Sequence, residues 1–471
     1  MSERNFSPPR AAGTITRVVL SAAALAWLGG CSFIPAYERP DAPVPEHFEG
    51  VTEKVASPLV SWREYFTDPS LHVLIEAALE HNRDLKIALA RVEEARALAG
   101  IARADRFPTL DAQVSGNRSR TPADIFAAGQ PLVASRYDAT LGMTAFELDF
   151  WGRVAALSTS ARAQYLASDE AAKSFRIGLI SDVANAWLLL TELVEREQLA
   201  ADTLKSREES LAIIRKRQEA GLATDLDVLA AESLAESLRA QRVDLKRQRI
   251  QTENALRLLT GMAVTLPAPM ILASQPAMTE LLPGLPSEVL LRRPDVRAAE
   301  QQLVAANANV GAARAAFFPR ISLTANVGSA SKELSGLFDA GSKAWLFNPI
   351  LTLPLFDAGR TRANVDVAAA RKVQAVANYE KTVQQAFREV ADILAAGSTY
   401  GEQVVAEAAN LRALRARFER VKAREQAGIA NYLEVLDASR DTFSAEQSLA
   451  STQRQLLSAR VTLYKSLGGG E

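Results

Sequence analysis

Cysteine and histidine are almost absent from this chain: among 471 residues the only cysteine is Cys31, and the histidines are His47, His72 and His81. A disulfide framework, a Cys/His zinc site and a Cys–His nucleophile are therefore excluded within one chain. Excess charge of either sign is missing too, since 54 Lys and Arg face 55 Asp and Glu for a formal net charge of −1. Without a positive field to gather phosphates, nucleic acid is set aside as a partner. Aromatics are scarce, at 6% against 48% hydrophobic residues overall. Much of the apolar content is alanine, which suits closely packed helices better than thick, aromatic-anchored cores. Proline is missing in a pattern: none lies between Pro131 and Pro267, and none follows Pro354. There is no phosphate-cradling Gly-Lys-Ser/Thr loop, no Gly-x-Ser-x-Gly elbow and no histidine pair at ligand spacing, so an enzyme is not expected. His72 and His81, nine residues apart near a helix start, are expected to be solvated.

At the N-terminus, Arg10 and Arg17 precede an apolar run, Val18 to Leu28, that is too short to span a bilayer. It reads as a secretory signal peptide over 1–30. Leu28-Gly29-Gly30-Cys31 resembles the bacterial lipobox. In that motif the thiol takes a diacylglycerol, and the cysteine then becomes the N-acylated first residue. Cys31 is thus the expected lipidation site, with Ser32 in the sorting position that sends lipoproteins to the outer membrane. A proline-rich extended tether should follow over 31–67, through Pro35, Pro40, Pro43 and Pro45.

The chain is written twice. Arg103-Ala104-Asp105-Arg106-Phe107-Pro108 matches Arg314-Ala315-Ala316-Phe317-Phe318-Pro319 at an offset of 211, and Gly152-Arg153 matches Gly359-Arg360 at 207. Gln218-Glu219-Ala220-Gly221-Leu222-Ala223 matches Glu425-Gln426-Ala427-Gly428-Ile429-Ala430 at the same 207. A period this long is a duplicated domain. The expected division is a first repeat over 68–261, a proline-rich equatorial connector over 262–293 and a second repeat over 294–471.

Each half reads helix, strand, strand, helix, turn, helix. Strict alternation of apolar and polar residues predicts strands at about 109–118, 136–148 and 320–328, and a poorer one at about 345–356 that contains Pro349 and Pro354. These lengths approach what a tilted strand needs to cross a membrane. The proline-free stretches 155–217 and 361–425 predict helices with apolar stripes such as Val183, Trp187, Leu190 and Val194. Sixty-three helical residues would rise roughly 95 Å, too long for a globular domain. Gly221 and Gly428 break the helices, and shorter ones of about 37 residues return over 224–260 and 431–467. Four amphipathic strands cannot face lipid alone, because their edges would expose unpaired amides, so the chain must associate with copies of itself.

Four further motifs carry a family resemblance. Leu290-Leu291-Arg292-Arg293-Pro294-Asp295-Val296-Arg297-Ala298-Ala299-Glu300, Phe318-Pro319-Arg320-Ile321-Ser322-Leu323, Pro354-Leu355-Phe356-Asp357-Ala358-Gly359-Arg360 and Asn431-Tyr432-Leu433-Glu434-Val435-Leu436-Asp437-Ala438 together resemble the TolC family of outer-membrane efflux factors. With the lipobox, the resemblance points to its lipoprotein branch, which serves resistance–nodulation–division pumps. It implies a mainly α fold with a membrane β-barrel portion. Three chains would form a 12-stranded outer-membrane β-barrel, continued by a long periplasmic α-helical barrel with an equatorial domain. It implies a passive exit duct for small molecules such as drugs in a Gram-negative outer membrane. The implied partners are two further copies in a homotrimer, a periplasmic membrane-fusion adaptor, an inner-membrane resistance–nodulation–division transporter and outer-membrane lipid. No cofactor is implied beyond the diacylglycerol and N-acyl lipid on Cys31.

The resemblance also places the periplasmic hairpin tips at Gly221 and Gly428, and a gate at Leu433 and Asp437. Being four apart, these two share a helix face. In a trimer each would form a ring, Leu433 blocking by size and Asp437 by concentrated charge, with Arg440 close enough to pair with an aspartate. The first repeat has Ala230 where the second has Asp437, so one hairpin of the two carries the ring. Arg292, Arg293 and Asp295 read as structural, at the hinge where connector becomes helix. A duct for type I protein secretion or metal export would share this fold, and a poreless periplasmic coiled-coil scaffold would lack the strands.

Overall fold

The computed structural model describes residues 32–45, 48, 60–124, 132–261, 272, 278 and 290–470. In chain order its elements are α1 (Trp62–Tyr65), α2 (Pro69–His81), α3 (Arg83–Ala104), β1 (Asp111–Thr121), β2 (Leu132–Glu147), α4 (Arg153–Glu219) and α5 (Asp225–Thr260). After the segment 262–289 come α6 (Pro294–Ala315), β3 (Arg320–Ser331), β4 (Lys343–Thr352), α7 (Arg360–Gln426) and α8 (Tyr432–Ser466). The helices α4 and α7 have 67 residues each, and α5 and α8 have 36 and 35. The two halves thus repeat the same order of strand pair, long helix and shorter returning helix.

Two compact units divide the described chain. The described residues of one lie within 32–40, 93–167 and 299–378, and those of the other within 41–92, 168–298 and 379–470.

The first unit holds a four-stranded antiparallel sheet in the order β1-β2-β3-β4. Its strands depart from the expected bounds in informative ways. β2 begins at Leu132 rather than 136, because Leu132 pairs with Thr121 and extends the β1–β2 hairpin. β4 stops at Thr352 rather than 356, two residues short of Pro354. Pro349 is accommodated inside β4, opposite Leu323, because β4 is an edge of the sheet and needs donors on one side only. In β2 a bulge between Met143 and Phe146 shifts the register, with Ala145 at φ 52° and its N–H donated to Thr324 Oγ1 at 3.0 Å.

The same unit holds the start of the described chain as a docked strap. Phe33 stacks on Phe318 at 4.6 Å, and Phe318 stacks in turn on Trp151 at 4.9 Å. Asn307 Nδ2 donates to the Pro35 carbonyl at 2.8 Å, and the Tyr37 hydroxyl and Arg39 guanidinium both reach Glu300. Gly311 allows this approach, since a Cβ there would lie 2.7 Å from Ile34 Cα.

The second unit contains the main core. Asp68 caps α2 by accepting from Ser70 N–H at 2.8 Å, and Pro69 opens the helix. The other Asp68 oxygen accepts from Trp187 Nε1 at 2.8 Å, which ties α2 to the middle of α4. Around that bond Trp62, Tyr65, Phe66, Leu74, Ile75, Leu188, Val461 and Tyr464 are buried, each side chain contributing about 1.5–3 kcal/mol relative to exposure. α4 contains a window apolar enough to cross a bilayer, but 61% of it is buried inside the chain, so its apolar face is spent on this core.

His72 departs from the solvated state expected of it. Its ring sits edge-on to Trp62 at 5.4 Å and its Nε2 contacts the Phe66 carbonyl, because α1 folds back over the first turns of α2.

Candidate functional site

Two places in the fold bear on function: the connections between long and short helices, and the faces of the sheet. The first connection follows α4. Gly221 takes φ 72°, donating its N–H to Gln218 O at 2.9 Å while Leu222 N–H reaches Arg217 O at 2.7 Å. This paired pattern is a Schellman stop, which a left-handed glycine permits without strain. Thr224 then starts α5 with a reciprocal capping box, its Oγ1 accepting from Asp227 N–H at 3.2 Å and its N–H donating to Asp227 at 2.9 Å. The Thr224 hydroxyl also donates to the Asp227 carboxylate at 2.7 Å, and this bond, with the one from the Thr224 backbone N–H, holds that carboxyl below the usual aspartate range.

The second connection repeats the first. Gly428 takes φ 73°, with its N–H on Glu425 O at 2.9 Å and Ile429 N–H on Arg424 O at 2.8 Å. Asn431 caps α8 by accepting from Leu433 N–H at 3.1 Å. Arg217 and Glu425 join the two connections by an ion pair of 2.6 Å, a contact between repeats that no local motif announces.

Leu433, Asp437 and Arg440 lie on the first turns of α8. Leu433 is 37% exposed, and Arg440 pairs with Asp437 at 3.4 Å and with Asp441 at 3.7 Å. Asp441 is held in turn by Arg417 of α7 at 2.9 Å. A chain of four alternating charges therefore runs Arg417, Asp441, Arg440, Asp437. Asp441 and Arg417 escaped the sequence reading, because their pairing depends on how α7 and α8 face each other. Behind this surface Arg207 is buried, with its guanidinium 5.7 Å over the Phe443 ring and one N–H on Leu234 O at 3.0 Å. Burial lowers its pKa, and its Nε and Nη2 have no partner among the described residues.

Arg293, read from sequence as structural, is buried. Its guanidinium binds Asp295 at 2.7 Å, Glu389 of α7 at 2.7 Å and the Ser466 carbonyl of α8 at 3.0 Å. Burial opposes its charge, but the two carboxylates more than offset that and raise its pKa. Cys31, the expected lipidation site, lies outside the described residues, one residue before Ser32.

The sheet is amphipathic in register. Val114 pairs with Ala139, Leu141 with Val327, and Val327 with Trp345. Below them Met143 pairs with Ala325 and Ala325 with Phe347, then Phe146 pairs with Leu323 and Leu323 with Pro349. Directly opposed residues share a face, so these rows make one apolar surface, which ends where the Val114–Ala139 row continues into Ser329 and Lys343. The bulge keeps Phe146 on it despite the odd spacing from Met143. The other face carries Gln113 against Thr140, Ser115 against Asp138, and Thr324 against Asn348. In the single chain Trp345 is 78% exposed and Val114 76%. An apolar face that broad is not left to water, so it requires lipid or a partner.

A sequence profile described as "Outer membrane efflux protein" matches residues 74–262 and 285–469, once per repeat. The chain is 47% identical over 457 residues to the Pseudomonas putida solvent efflux pump outer membrane protein SrpC, covering 95% of this chain and 97% of that one. It is 46% identical over 450 residues to the Pseudomonas aeruginosa outer membrane protein OprJ, covering 94% of each. Its fold is similar to the open-state crystal structure of the Neisseria gonorrhoeae MtrE outer membrane channel, with a TM-score of 0.85 and 39% identity over 93% of this chain and 98% of that one. The strand pairs, the duplicated helices and these likenesses agree: the chain is an outer-membrane protein and belongs to the outer membrane efflux protein family.

Proposed function

We propose that three copies of this chain form the outer-membrane exit duct of a tripartite efflux pump. A periplasmic membrane-fusion adaptor and an inner-membrane resistance–nodulation–division transporter deliver its cargo. The observation that carries this reading is the amphipathic sheet with two open edges, β1 and β4. An open edge in hydrocarbon leaves unpaired amides, each costing several kcal/mol, so closure by neighbouring chains is required. Three sheets give twelve strands, enough to enclose a water-filled passage lined by the Gln113, Thr140 and Thr324 face.

Conduction through this duct is passive, and the sequence carries no Gly-Lys-Ser/Thr phosphate loop with which to couple nucleotide hydrolysis. Its control lies at the hairpin ends. Leu433 and Asp437 repeat around the axis as an apolar ring and an anionic ring, and Arg440 holds each aspartate in the closed arrangement. Gly221 and Gly428 form the tips that meet the adaptor. A diacylglycerol and an N-acyl chain on Cys31 hold the strap's end in outer-membrane lipid. More than one chain is needed there, since a single acyl group anchors only marginally.

The cargo is small organic molecules. SrpC bears the name of a solvent efflux pump, which favours apolar solvents and drugs over metal ions or secreted polypeptides. Deleting the gene and profiling sensitivity to solvents, antibiotics, dyes, detergents and metals tests the reading. Hypersensitivity to the organic classes, reversed by complementation, is the expected outcome. Sensitivity to metals alone, or no change in any class, contradicts it.

A further inference from the structure

The second unit contains a cavity that the duct does not use. It has a volume of about 410 Å³, in the range of small-ligand sites, and its apolar wall is formed by Trp62, Ile180 and Leu291. Lys173, Arg176, Arg292 and Arg297 bring four cations to it. Two carboxylates answer them. Glu170 takes Lys173 at 3.1 Å and Arg297 at 3.0 Å on one oxygen, and Asp169 takes Lys173 at 2.9 Å. Arg176 and Arg292 make no ion pair among the described residues. Pro294, also in the lining, opens the 22-residue α6, whose positive end adds to the same field.

The floor carries a second, opposite demand. Glu170 is 6% exposed, and its Oε2 has no hydrogen-bond partner among the described residues. A buried carboxylate oxygen left unsatisfied calls for an N–H or O–H donor. Two guanidiniums without a carboxylate partner among the described residues call for a planar carboxylate or a phosphate. A phosphomonoester dianion would supply the anion but no donor, and hydrogenphosphate would offer its one O–H only with a second negative charge facing Glu170. The last residue of a peptide supplies both, an amide N–H and a carboxylate on one residue, with a side chain for the Trp62 wall.

We propose that this cavity binds the free carboxylate end of a short peptide, with Arg176 and Arg292 holding the carboxylate and Glu170 accepting the amide N–H. Calorimetry on the full-length purified protein tests it, with N-acetyl-Ala-Ala, its C-terminal amide and inorganic phosphate as probes. The acid should bind, and the amide should bind about tenfold more weakly or worse. Arg176→Gln combined with Arg292→Gln should weaken the acid by a similar factor with an unchanged circular dichroism spectrum, because both side chains are exposed. Equal binding of acid and amide, phosphate binding as tight as the peptide, indifference to the double variant, or no heat at millimolar peptide would each overturn the proposal. Co-sedimentation with purified cell-wall sacculi, which display such ends, separates the sources. Pelleting lost in the double variant assigns the site to wall peptides. Pelleting that ignores the variant assigns it to free or protein-borne ends.

Discussion

Arg440 reaches Asp437 across one turn of α8 at 3.4 Å, with both side chains more than half exposed. Such a pair contributes at most about 1 kcal/mol to folding, and its competitor Asp441 is already engaged by Arg417. Its proposed value is therefore in the closed duct rather than in the chain's stability. Arg440→Ala should leave the thermal midpoint nearly unchanged while sensitising cells to a bulky antibiotic such as vancomycin. A variant that unfolds early, or that admits no more antibiotic than the natural protein, removes Arg440 from the gate.

The two faces of β4 make different predictions. Phe347 lies on the apolar rows and Asn348, its neighbour, on the polar ones. Phe347→Arg places a cation against lipid, at a cost of about 2–4 kcal/mol near the bilayer midplane. It should reduce folded protein in outer-membrane fractions, whereas Asn348→Arg should insert normally and alter ion selectivity. Equal insertion of the two would reverse or abolish the assignment of faces.

Arg293 should be the least replaceable charge in the second unit. It is 6% exposed and binds Asp295, Glu389 and the Ser466 carbonyl. Removing it unpairs the part-exposed carboxylates of Asp295 and Glu389 and leaves the buried Ser466 carbonyl without its donor, so Arg293→Met should cost about 1–3 kcal/mol. Lysine cannot reproduce the three-way fork and should rescue little of that loss. Thermal melts of the three proteins measure both statements.

How much of this was legible in advance depended on the range of the interaction. The two glycine stops were readable because a Schellman turn is written in adjacent residues, as was the alternation of Ile321 to Val327. The break between α2 and α3 was not. It rests on Asn82, which caps Leu85 N–H at 2.9 Å while its side-chain amide donates to Leu259 of α5 at 2.9 Å. The bulge at Ala145 was hidden likewise, because its stabilising acceptor, Thr324, lies on another strand. The strap was expected to be an extended tether, but its docking on Glu300, Asn307 and Phe318 depends on residues far away in the chain. At the hairpin ends Leu433 and Asp437 follow from the family resemblance and Arg440 from its three-residue spacing to Asp437, while Arg417 and Asp441 needed the packed helices.

The capping box at Thr224 gives the first hairpin a pH dependence. Hydrogen bonds from Thr224 hold Asp227 below its ordinary value, so the folded pKa lies under the unfolded one. Its contribution is fully present above about pH 4 and is lost as the pH falls through the folded value. Amide protection over 224–228, measured against the unstructured exchange rate at the same pH, should therefore fall on acidification below that point. In Asp227→Ala that protection should be low already at neutral pH and should change little with acid. Protection in the natural protein that stays constant to the lowest accessible pH would contradict the cap's role.

Single-channel conductance in planar bilayers tests most directly whether this chain is a duct closed at its hairpin ends. The natural protein should insert as trimers of low, steady conductance, and Asp437→Ala together with Arg440→Ala should raise that conductance several-fold. Membranes that stay silent with both proteins, or identical conductance in the two, would contradict the account.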